Sequence, residues 1–246
     1  MPTKSQTKKI ALVTGANKGI GREIARQLAK KGMTVFIGAR DAGRGREAEA
    51  GLKKEGLDVR FIELEVTKAD SVRAAAARIE KEFGWLDVLV NNAAIAIDQG
   101  EAPSKVGMDL VRETYETNFF AVIAVTQAML PLLRKSDAGR IVNMSSGLGS
   151  LKIGSDPSSP FASFNLLGYN TSKTAVNAVT VSFANELRNT RIKVNAADPG
   201  YVATDMNGHS GPRTVEQGAT APVRLATLPA DGPTGGYFNE DGPVPW

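Results

Sequence analysis

Short apolar runs alternate with longer amphipathic stretches along almost the whole chain. Seven of the apolar runs are predicted as strands, over residues 9–14, 34–39, 58–64, 87–91, 140–144, 191–195 and 236–238. A strand that returns to the same sheet after a helix pairs in parallel, because the helix crosses one face of the sheet. The runs are apolar at consecutive positions, which is typical of strands covered on both faces. The pattern therefore predicts a doubly wound α/β fold with about seven parallel strands.

The amphipathic stretches between the strands predict the helices that cover the sheet. They span residues 20–31, 42–55, 67–83, 108–135 and 215–228, and a further helix carries Tyr169. Thr67 is a residue type that caps helix N-termini. No repeat or linker divides the chain, so residues 9–246 are predicted to form a single domain. Residues 1–8 are polar and basic, and they are interpreted as a frayed tail.

The charge and composition argue against several classes of protein. The 246 residues carry a net charge of +4, but lysines and arginines are scattered among Glu and Asp, so no nucleic-acid partner is predicted. No apolar run approaches the roughly 18–20 residues that span a bilayer, so no membrane partner is predicted. The single histidine, His209, excludes a multi-histidine metal site. The chain has no cysteine, which fits a reducing cytoplasm.

A glycine-rich turn follows the first predicted strand and opens the first predicted helix. It reads Thr-Gly-Ala-Asn-Lys-Gly-Ile-Gly over residues 14–21. Gly15 permits a tight turn, Gly19 lets the backbone approach a pyrophosphate, and Gly21 lets the helix pack closely on the sheet. The free N–H groups at a helix N-terminus also bind phosphates. The position of this turn predicts a Rossmann-like dinucleotide site, although its spacing differs from the common Gly-x-Gly-x-x-Gly.

The residues after the second predicted strand indicate which dinucleotide binds. An acidic residue at this place commonly binds the ribose 2′-hydroxyl of NAD. Here the strand ends in Ala39-Arg40, and Asp41 comes only afterwards. A guanidinium suits a 2′-phosphate, Lys18 in the glycine turn adds a second positive charge, and Arg44 gives further support. We therefore predict NADP(H) as the cofactor.

Tyr169 and Lys173 lie four residues apart and share one face of a predicted helix. Tyrosine alone, with an ordinary pKa of about 10, is a poor acid–base catalyst at neutral pH. A nearby ammonium favours the phenolate and would lower that pKa. Most pairs at this spacing are only a packed ring and a solvated charge, so the surrounding motifs decide whether this pair is catalytic.

Further motifs follow in a fixed order along the chain. After the glycine turn come Asn91-Asn92-Ala93-Ala94, Asn118, Ser146, Tyr169-x-x-x-Lys173 and Asp198-Pro199-Gly200. Together they resemble the short-chain dehydrogenase/reductase family over about residues 8–240. The glycine turn, residues 39–41 and the long loop before the tyrosine are similar to the NADPH carbonyl reductase branch. Two positions depart from the family pattern, because Ala94 replaces a glycine and Glu65-Val66 replaces Asp-Val.

The resemblance implies catalytic roles for four residues. Tyr169 would donate a proton to the carbonyl oxygen in reduction and accept one in the reverse oxidation. Lys173 would lower the Tyr169 pKa and hydrogen-bond the nicotinamide ribose. Ser146 would hydrogen-bond the substrate oxygen as charge develops there, with Ser145 as the alternative. Asn118 would hold a water that connects Lys173 to solvent.

The resemblance also implies which residues bind NADP(H). Asn92 and Ala93 end the fourth predicted strand, and Pro199-Gly200 follows the sixth, at the edge where ligands bind in such sheets. The full set of expected cofactor contacts is Gly15, Asn17, Lys18, Gly19, Ile20, Arg40, Glu65, Val66, Asn92, Ala93, Tyr169, Lys173, Pro199, Gly200, Val202 and Thr204.

Two segments, residues 147–168 and 201–213, are expected to surround the substrate. The first contains four large apolar residues, Phe161, Phe164, Leu166 and Leu167. They favour a hydrophobic or aromatic ketone or aldehyde, unless they pack on the protein body instead. The predicted function is NADPH-dependent reduction of such a carbonyl to an alcohol. The alternatives are reduction of an enone or imine, or a non-catalytic NADP(H)-sensing protein. The family also implies a homodimer or homotetramer, with a monomer as the remaining alternative.

Overall fold

Seven strands form one parallel sheet in the computed structural model, which describes residues 8–98 and 100–246. The strands are β1 (Ile10–Thr14), β2 (Thr34–Ala39), β3 (Val59–Glu63), β4 (Val88–Asn91), β5 (Arg140–Met144), β6 (Lys193–Ala197) and β7 (Tyr237–Phe238). They pair in the order β3-β2-β1-β4-β5-β6-β7, and every pair is parallel. The predicted doubly wound sheet of seven strands is confirmed. Apart from Lys8, the predicted N-terminal tail lies outside the described residues.

Helices cover both faces of the sheet. They are α1 (Gly19–Lys30), α2 (Ala42–Lys54), α3 (Ala69–Phe83), α4 (Met108–Tyr115), α5 (Ala121–Leu133), α6 (Leu151–Gly154), α7 (Leu167–Glu186) and α8 (Val215–Ala226). A π-helical turn, Glu116–Phe120, joins α4 to α5, and 3₁₀ turns occur at Gly147–Gly149 and Asp205–Asn207.

Alternate strand residues supply two hydrophobic cores, one on each face of the sheet. Ile10 and Leu12 of β1 pack with side chains of α3 and α5, whereas Ala11 and Val13 pack with side chains of α1 and α8. All four side chains are at most 1% exposed. Because successive residues of a strand point to opposite faces, a sheet with two covered faces needs apolar residues at consecutive positions.

Strand β6 lies two residues further along the chain than predicted, at Lys193–Ala197 instead of 191–195. The strand continues past Asn195, because both polar groups of the Asn195 side chain are satisfied inside the fold. Its Nδ2 donates to the Pro233 carbonyl at 2.9 Å, and its Oδ1 accepts from the Gly236 N–H at 3.0 Å. Pairing with β5 and β7 then extends the strand to its observed end. Tertiary pairing therefore sets a boundary that the local sequence does not.

The prediction that Thr67 caps the third helix is wrong. Helix α3 begins at Ala69 after Lys68, and no side chain caps its N-terminus. The Thr67 hydroxyl instead donates to the Glu65 carboxylate at 3.0 Å. This local hydrogen bond uses the hydroxyl two residues before the helix starts.

The long helix predicted over residues 108–135 contains one irregular turn. The Ala121 N–H bonds the Glu116 carbonyl, which is the wider spacing of a π turn. Within the described part of the chain, Met108–Leu133 is long and apolar enough to cross a membrane, with a mean hydropathy of 1.3. In this fold α5 packs against α3, β4 and β5, and α4 packs against α7. A core helix meets the same criteria, so we interpret this stretch as part of the core.

Candidate active site

A cleft of about 750 Å³ opens at the carboxyl edge of the sheet, next to the point where the strand order reverses between β1 and β4. Open parallel sheets bind their ligands at this point. The glycine turn after β1 lines one part of the cleft, and Tyr169 and Lys173 of α7 line another. The volume lies within the range of cofactor and small-molecule sites.

The glycine turn fits so closely that side chains would not be accommodated. Gly15 and Gly19 have φ of 62° and 55°, the left-handed region that favours glycine. A Cβ at Gly15 would lie 2.9 Å from the Cα of Ala93, and one at Gly21 would lie 2.4 Å from Nδ2 of Asn92. Lys18 precedes α1 without a side-chain cap, so N–H groups of the first helical turn face the cleft without an intrahelical partner. A phosphate group fits this cradle.

Thr14 and Asn92 tie the glycine turn to the end of β4. The Asn92 Nδ2 donates to the carbonyls of Thr14 at 2.8 Å and Gly15 at 3.2 Å. The Thr14 hydroxyl accepts from the N–H groups of Asn92 and Ala93, both at 2.9 Å. Sequence reasoning assigned Asn92 to the cofactor and missed Thr14. Their contacts are long-range in sequence, so no local pattern indicates them.

The end of the cleft beside β2 is basic. Lys18, Arg40 and Arg44 line it. Asp41 lies there too, but its Oδ1 accepts the Arg44 N–H at 2.9 Å and thus caps α2. Lys18 reaches across the cleft to the carboxylate of Asp205 at 2.6 Å.

His209 also lines the cleft. Its Nε2 lies 2.9 Å from Oδ1 of Asp205. Its backbone has a φ of 61°, which is unusual for a residue other than glycine.

The expected cofactor residues fall into two groups, those that line the cleft and those that do not. Those that line the cleft are Gly15, Asn17, Lys18, Gly19, Ile20, Arg40, Glu65, Val66, Asn92, Ala93, Tyr169, Lys173, Pro199 and Thr204. Gly200 and Val202 do not line it. Gly200 is exposed, and the Val202 side chain is 3% exposed and packs on Gly218 of α8, so their contacts with the cofactor stay predictions.

Tyr169 and Lys173 come together on α7 as the spacing predicts. The Lys173 Nζ lies 5.6 Å from the centroid of the Tyr169 ring and donates to the Met144 carbonyl at 2.8 Å. Lys173 is only 3% exposed. A lysine so deeply buried and so near a phenol is unusual outside functional sites.

The acid–base properties of this pair differ from the sequence expectation. Burial raises the pKa of Tyr169 to about 12; the Asp198 charge acts in the same direction, and the facing Ser146 hydroxyl opposes it. Burial also lowers the pKa of Lys173 to about 8. The net pKa of Tyr169 therefore lies above its ordinary value, because the loss of hydration is the largest effect. The lowering by Lys173 stays a prediction.

The two serines after β5 have different surroundings. The Ser145 hydroxyl is buried and donates to Oδ1 of Asn177 at 2.6 Å. The Ser146 hydroxyl accepts the Leu148 N–H at 3.2 Å and faces the Tyr169 phenol. The Ser145 hydroxyl thus donates to α7, whereas the Ser146 hydroxyl forms a hydrogen bond with the Tyr169 phenol.

Asn118 is fully buried in the π turn between α4 and α5. Its Oδ1 accepts the Ile95 N–H, and its Nδ2 donates to the Ile95 carbonyl, each at 2.9 Å. The same Nδ2 lies 3.0 Å from the Ser172 hydroxyl of α7. The side chain therefore fixes the segment after β4 against α7, and its role in a water relay stays a prediction.

The segment 147–168 packs on the protein body. None of its residues, all of them described, lines the cleft. The Ser150 hydroxyl donates to the Pro245 carbonyl at 2.7 Å, and the Lys152 N–H donates to the Trp246 carbonyl at 3.0 Å. Phe164 stacks edge-on against Tyr201, with ring centroids 6.0 Å apart. This segment is thus held by the C-terminal residues on one side and by the segment 201–213 on the other.

Several residues of the segment 201–213 line the cleft, namely Ala203, Thr204, Asp205, Met206 and His209.

In the described ranges, 8–98 and 100–246, no three His, Cys, Asp or Glu side chains are grouped so that they could hold a metal ion.

The fold and the cleft define a dinucleotide-dependent enzyme of the Rossmann type. The family model of short chain dehydrogenases matches residues 9–214. The chain therefore belongs to the short-chain dehydrogenase/reductase family, and the resemblance inferred from its motifs is confirmed.

Similar proteins cover nearly the full chain. Carbonyl reductase (NADPH) 1 of Sus scrofa is 36% identical, and the match covers 98% of this chain and 96% of that protein. Short-chain dehydrogenase/reductase 1 of Saponaria officinalis is 35% identical over 97% of this chain and 96% of its own length. That alignment spans 294 positions, more than the 246 residues of this chain, so the relative carries residues that this chain lacks.

Solved structures give the same assignment. NADPH-bound carbonyl reductase from chicken fatty liver matches with a TM-score of 0.85 and 29% identity, covering 97% of this chain and 99% of that chain. Salutaridine reductase from Papaver somniferum matches with a TM-score of 0.82 and 32% identity, covering 94% of this chain and 99% of that chain.

Proposed function

We propose that this protein is an NADP(H)-dependent oxidoreductase that reduces a ketone or aldehyde to an alcohol, reversibly. The observation that carries the proposal is the half-buried Tyr169 phenol, which faces the Ser146 hydroxyl and has Lys173 one helical turn away. Tyr169 and Lys173 line the same cleft as a glycine turn that fits a dinucleotide. Relatives whose names specify NADPH and carbonyl reduction support the same function.

The residues of the cleft fit NADP(H). The glycine turn and the N-terminus of α1 would hold the pyrophosphate, and Arg40 with Lys18 would hold the 2′-phosphate. Asp41 is engaged as the cap of α2, so it is not arranged to select a free 2′-hydroxyl. When bound, NADPH supplies the hydride that the carbonyl carbon accepts.

Tyr169 supplies the proton for reduction. With a pKa of about 12 its phenol stays protonated at neutral pH, which is the form that can donate to a carbonyl oxygen. The Ser146 hydroxyl donates a hydrogen bond to the same oxygen as negative charge develops there. Lys173 would hydrogen-bond the cofactor ribose. The protonated Tyr169 phenol serves reduction of the carbonyl, and the phenolate serves oxidation of the alcohol.

Apolar side chains that line the cleft, among them Ile95, Met144 and Met206, favour a hydrophobic or aromatic substrate. Binding pockets for such substrates are lined mainly by apolar and aromatic groups. Reduction of an enone or imine at the same site is the alternative activity. A protein that only senses NADP(H) would not need Ser146, Tyr169 and Lys173 together.

A carbonyl panel tests the function. Consumption of NADPH is measured with aryl ketones, aliphatic aldehydes, sugar-like hydroxyketones, enones and imines. We expect the largest kcat/KM for an aryl or other apolar ketone or aldehyde. Faster turnover of the sugar-like compounds would refute the substrate class, and exclusive turnover of enones or imines would favour the alternative reaction.

Arg40 is expected to decide the cofactor preference. Arg40→Ala should lower kcat/KM for NADPH by roughly 10- to 100-fold, because a charge-assisted hydrogen bond is worth about 1.5–3 kcal/mol. The value for NADH should hardly change, since NADH has no 2′-phosphate. The matched control is Arg46→Ala, because Arg46 is an exposed arginine of α2, the helix that follows Arg40, and it does not line the cleft. Equal losses with both cofactors would contradict this role.

We also infer a cytoplasmic enzyme that assembles as a homodimer or homotetramer, with a monomer as the remaining alternative. The cysteine-free composition supports the compartment. An apolar surface at the π turn and the start of α5 supports association, because Phe120 there is 50% exposed beside the partly buried Phe119 and Ile123.

A further inference from the structure

Helix α7 carries the Tyr169 phenol in its first turn. The helix begins at Leu167, so Tyr169 is its third residue, where backbone N–H groups have no partner inside the helix. Leu166, the residue before the helix, provides no side-chain cap for these groups. Helix ends of this kind fray. The place of the phenol in the cleft therefore depends on what else binds this turn.

Asp98 supplies the missing cap from a distant part of the chain, the segment between β4 and α4. Its Oδ2 accepts the Gly168 N–H at 2.6 Å and the Tyr169 N–H at 3.4 Å. These belong to the second and third residues of α7, the positions whose N–H groups a capping side chain binds. A carboxylate also suits the positive end of a helix dipole. Asp98 thus binds the backbone of the residue that bears the phenol.

The Asp98 side chain is held in the interior, with 0% of the residue exposed. Its Oδ1 has no hydrogen-bond partner among the described residues. A buried oxygen without a donor costs stability, so its presence needs a compensating purpose. The turn that Asp98 holds provides that purpose, because it carries the proton donor.

Gly168 lets three elements meet at this turn. A Cβ there would lie 3.3 Å from Oδ2 of Asp98, 3.4 Å from Cα of Val111 and 3.5 Å from Oγ1 of Thr114. The last two residues belong to α4, so the start of α7 lies against both α4 and the segment after β4. Ile95, three residues before Asp98, lines the cleft. One segment therefore borders the cleft and fixes the helix that bears the phenol.

We propose that Asp98 is a positioning residue, which holds the first turn of α7 so that the Tyr169 phenol keeps its place in the cleft. The inference rests on the proposed function, because it takes Tyr169 as the proton donor. Lys173 lies one turn further along α7 and is held separately, by the Met144 carbonyl. Loss of the Asp98 carboxylate should therefore impair proton donation more than binding of the cofactor.

The first test is a comparison of kcat with cofactor binding. Asp98→Ala should lower kcat for carbonyl reduction by roughly 10- to 100-fold, because a misplacement of about 1 Å can cost on the order of 10². The Kd for NADPH should stay near the wild-type value, since the glycine turn does not depend on this cap. Asp98→Asn keeps an oxygen that can accept the same N–H groups, so it should restore most of kcat. This variant also serves if the alanine variant does not fold.

Hydrogen exchange follows the contact independently of activity. In a peptide that covers residues 166–170, Asp98→Ala should speed exchange by at least about tenfold, and Asp98→Asn should not. Asp87→Ala is the matched control, because Asp87 is also buried and accepts a backbone N–H, that of Ile10 at 2.8 Å, at the opposite edge of the sheet. Its kcat, and its exchange over residues 166–170, should match those of the unchanged protein.

A double-mutant cycle separates positioning from general damage. In a Tyr169→Phe background no phenol can donate, so adding Asp98→Ala should lower the remaining kcat by less than about twofold. A full further loss there would overturn the inference, and so would an equal loss of kcat in Asp87→Ala.

The outcomes also separate this inference from the proposed function. If the unchanged protein reduces a carbonyl and Asp98→Ala does so at the same kcat, the inference fails and the proposed function stands. If exchange over residues 166–170 depends on Asp98 but the protein reduces no carbonyl, Asp98 still holds the turn and the proposed function fails.

Discussion

Tyr169→Phe is expected to lower kcat for carbonyl reduction by about a thousandfold, since positioned acid catalysis contributes roughly 10² to 10⁴. The change removes the proton that the phenol donates and keeps the ring that packs beside Lys173. The Kd for NADPH should stay near the wild-type value, because the glycine turn and Arg40 lie elsewhere in the cleft. Single-turnover NADPH oxidation and fluorescence titration of NADPH measure the two quantities separately.

The matched control is Tyr115→Phe. Tyr115 ends α4, and its ring packs on Phe119 at 5.8 Å between centroids, so this variant loses a hydroxyl that does not line the cleft. Its kcat should equal that of the unchanged protein. Near-normal reduction by Tyr169→Phe would show that the proton comes from another group. Equal losses in the two variants would point to a general effect on folding.

Arg140→Met is expected to destabilise the protein by roughly 3 kcal/mol or more, the range for breaking a buried charged network. Arg140 begins β5, is 3% exposed, and its guanidinium donates to four backbone carbonyls. Its Nη2 binds Leu228 at 2.7 Å and Pro229 at 3.0 Å, and its Nη1 binds Gly139 at 2.7 Å. Methionine fills part of the space but leaves these buried carbonyls without a donor.

Thermal unfolding measures this effect. For a chain of this length, roughly 3 kcal/mol corresponds to a fall in Tm of about 6–12 °C. Arg191→Met is the control, because the Arg191 side chain is 74% exposed and its pair with Asp137 lies in solvent. Exposed ion pairs contribute about 0–1 kcal/mol, so its Tm should change little. A Tm for Arg140→Met that matches the control would show that solvent replaces the lost donors.

The fold could be predicted because its main signals are local. Each strand is a short run that must be apolar at consecutive positions to enter both cores, as Ile10, Ala11 and Leu12 do. The glycine turn could also be predicted, because Gly15 and Gly19 adopt backbone conformations that other residues avoid. The pairing of Tyr169 with Lys173 needed only the helical repeat.

Other features could not be predicted because they depend on contacts between distant parts of the chain. The end of β6 depends on Asn195, whose amide is satisfied by Pro233 and Gly236. The segment 147–168 could have lined the cleft, but hydrogen bonds to the last two residues of the chain hold it against the body. Loop packing of this kind has no local sequence signature.

The sequence by itself determined the sheet, the dinucleotide turn, the family and the residues that meet at the reacting centre, because these follow from hydrophobic period, backbone conformation and spacing. The tertiary structure alone decided the protonation states of these residues and the contacts that hold them in place. Burial, which no spacing reveals, sets the pKa of Tyr169 to about 12 and that of Lys173 to about 8. The Ser146 hydroxyl faces the Tyr169 phenol only because β5 ends and α7 begins at the same edge of the sheet.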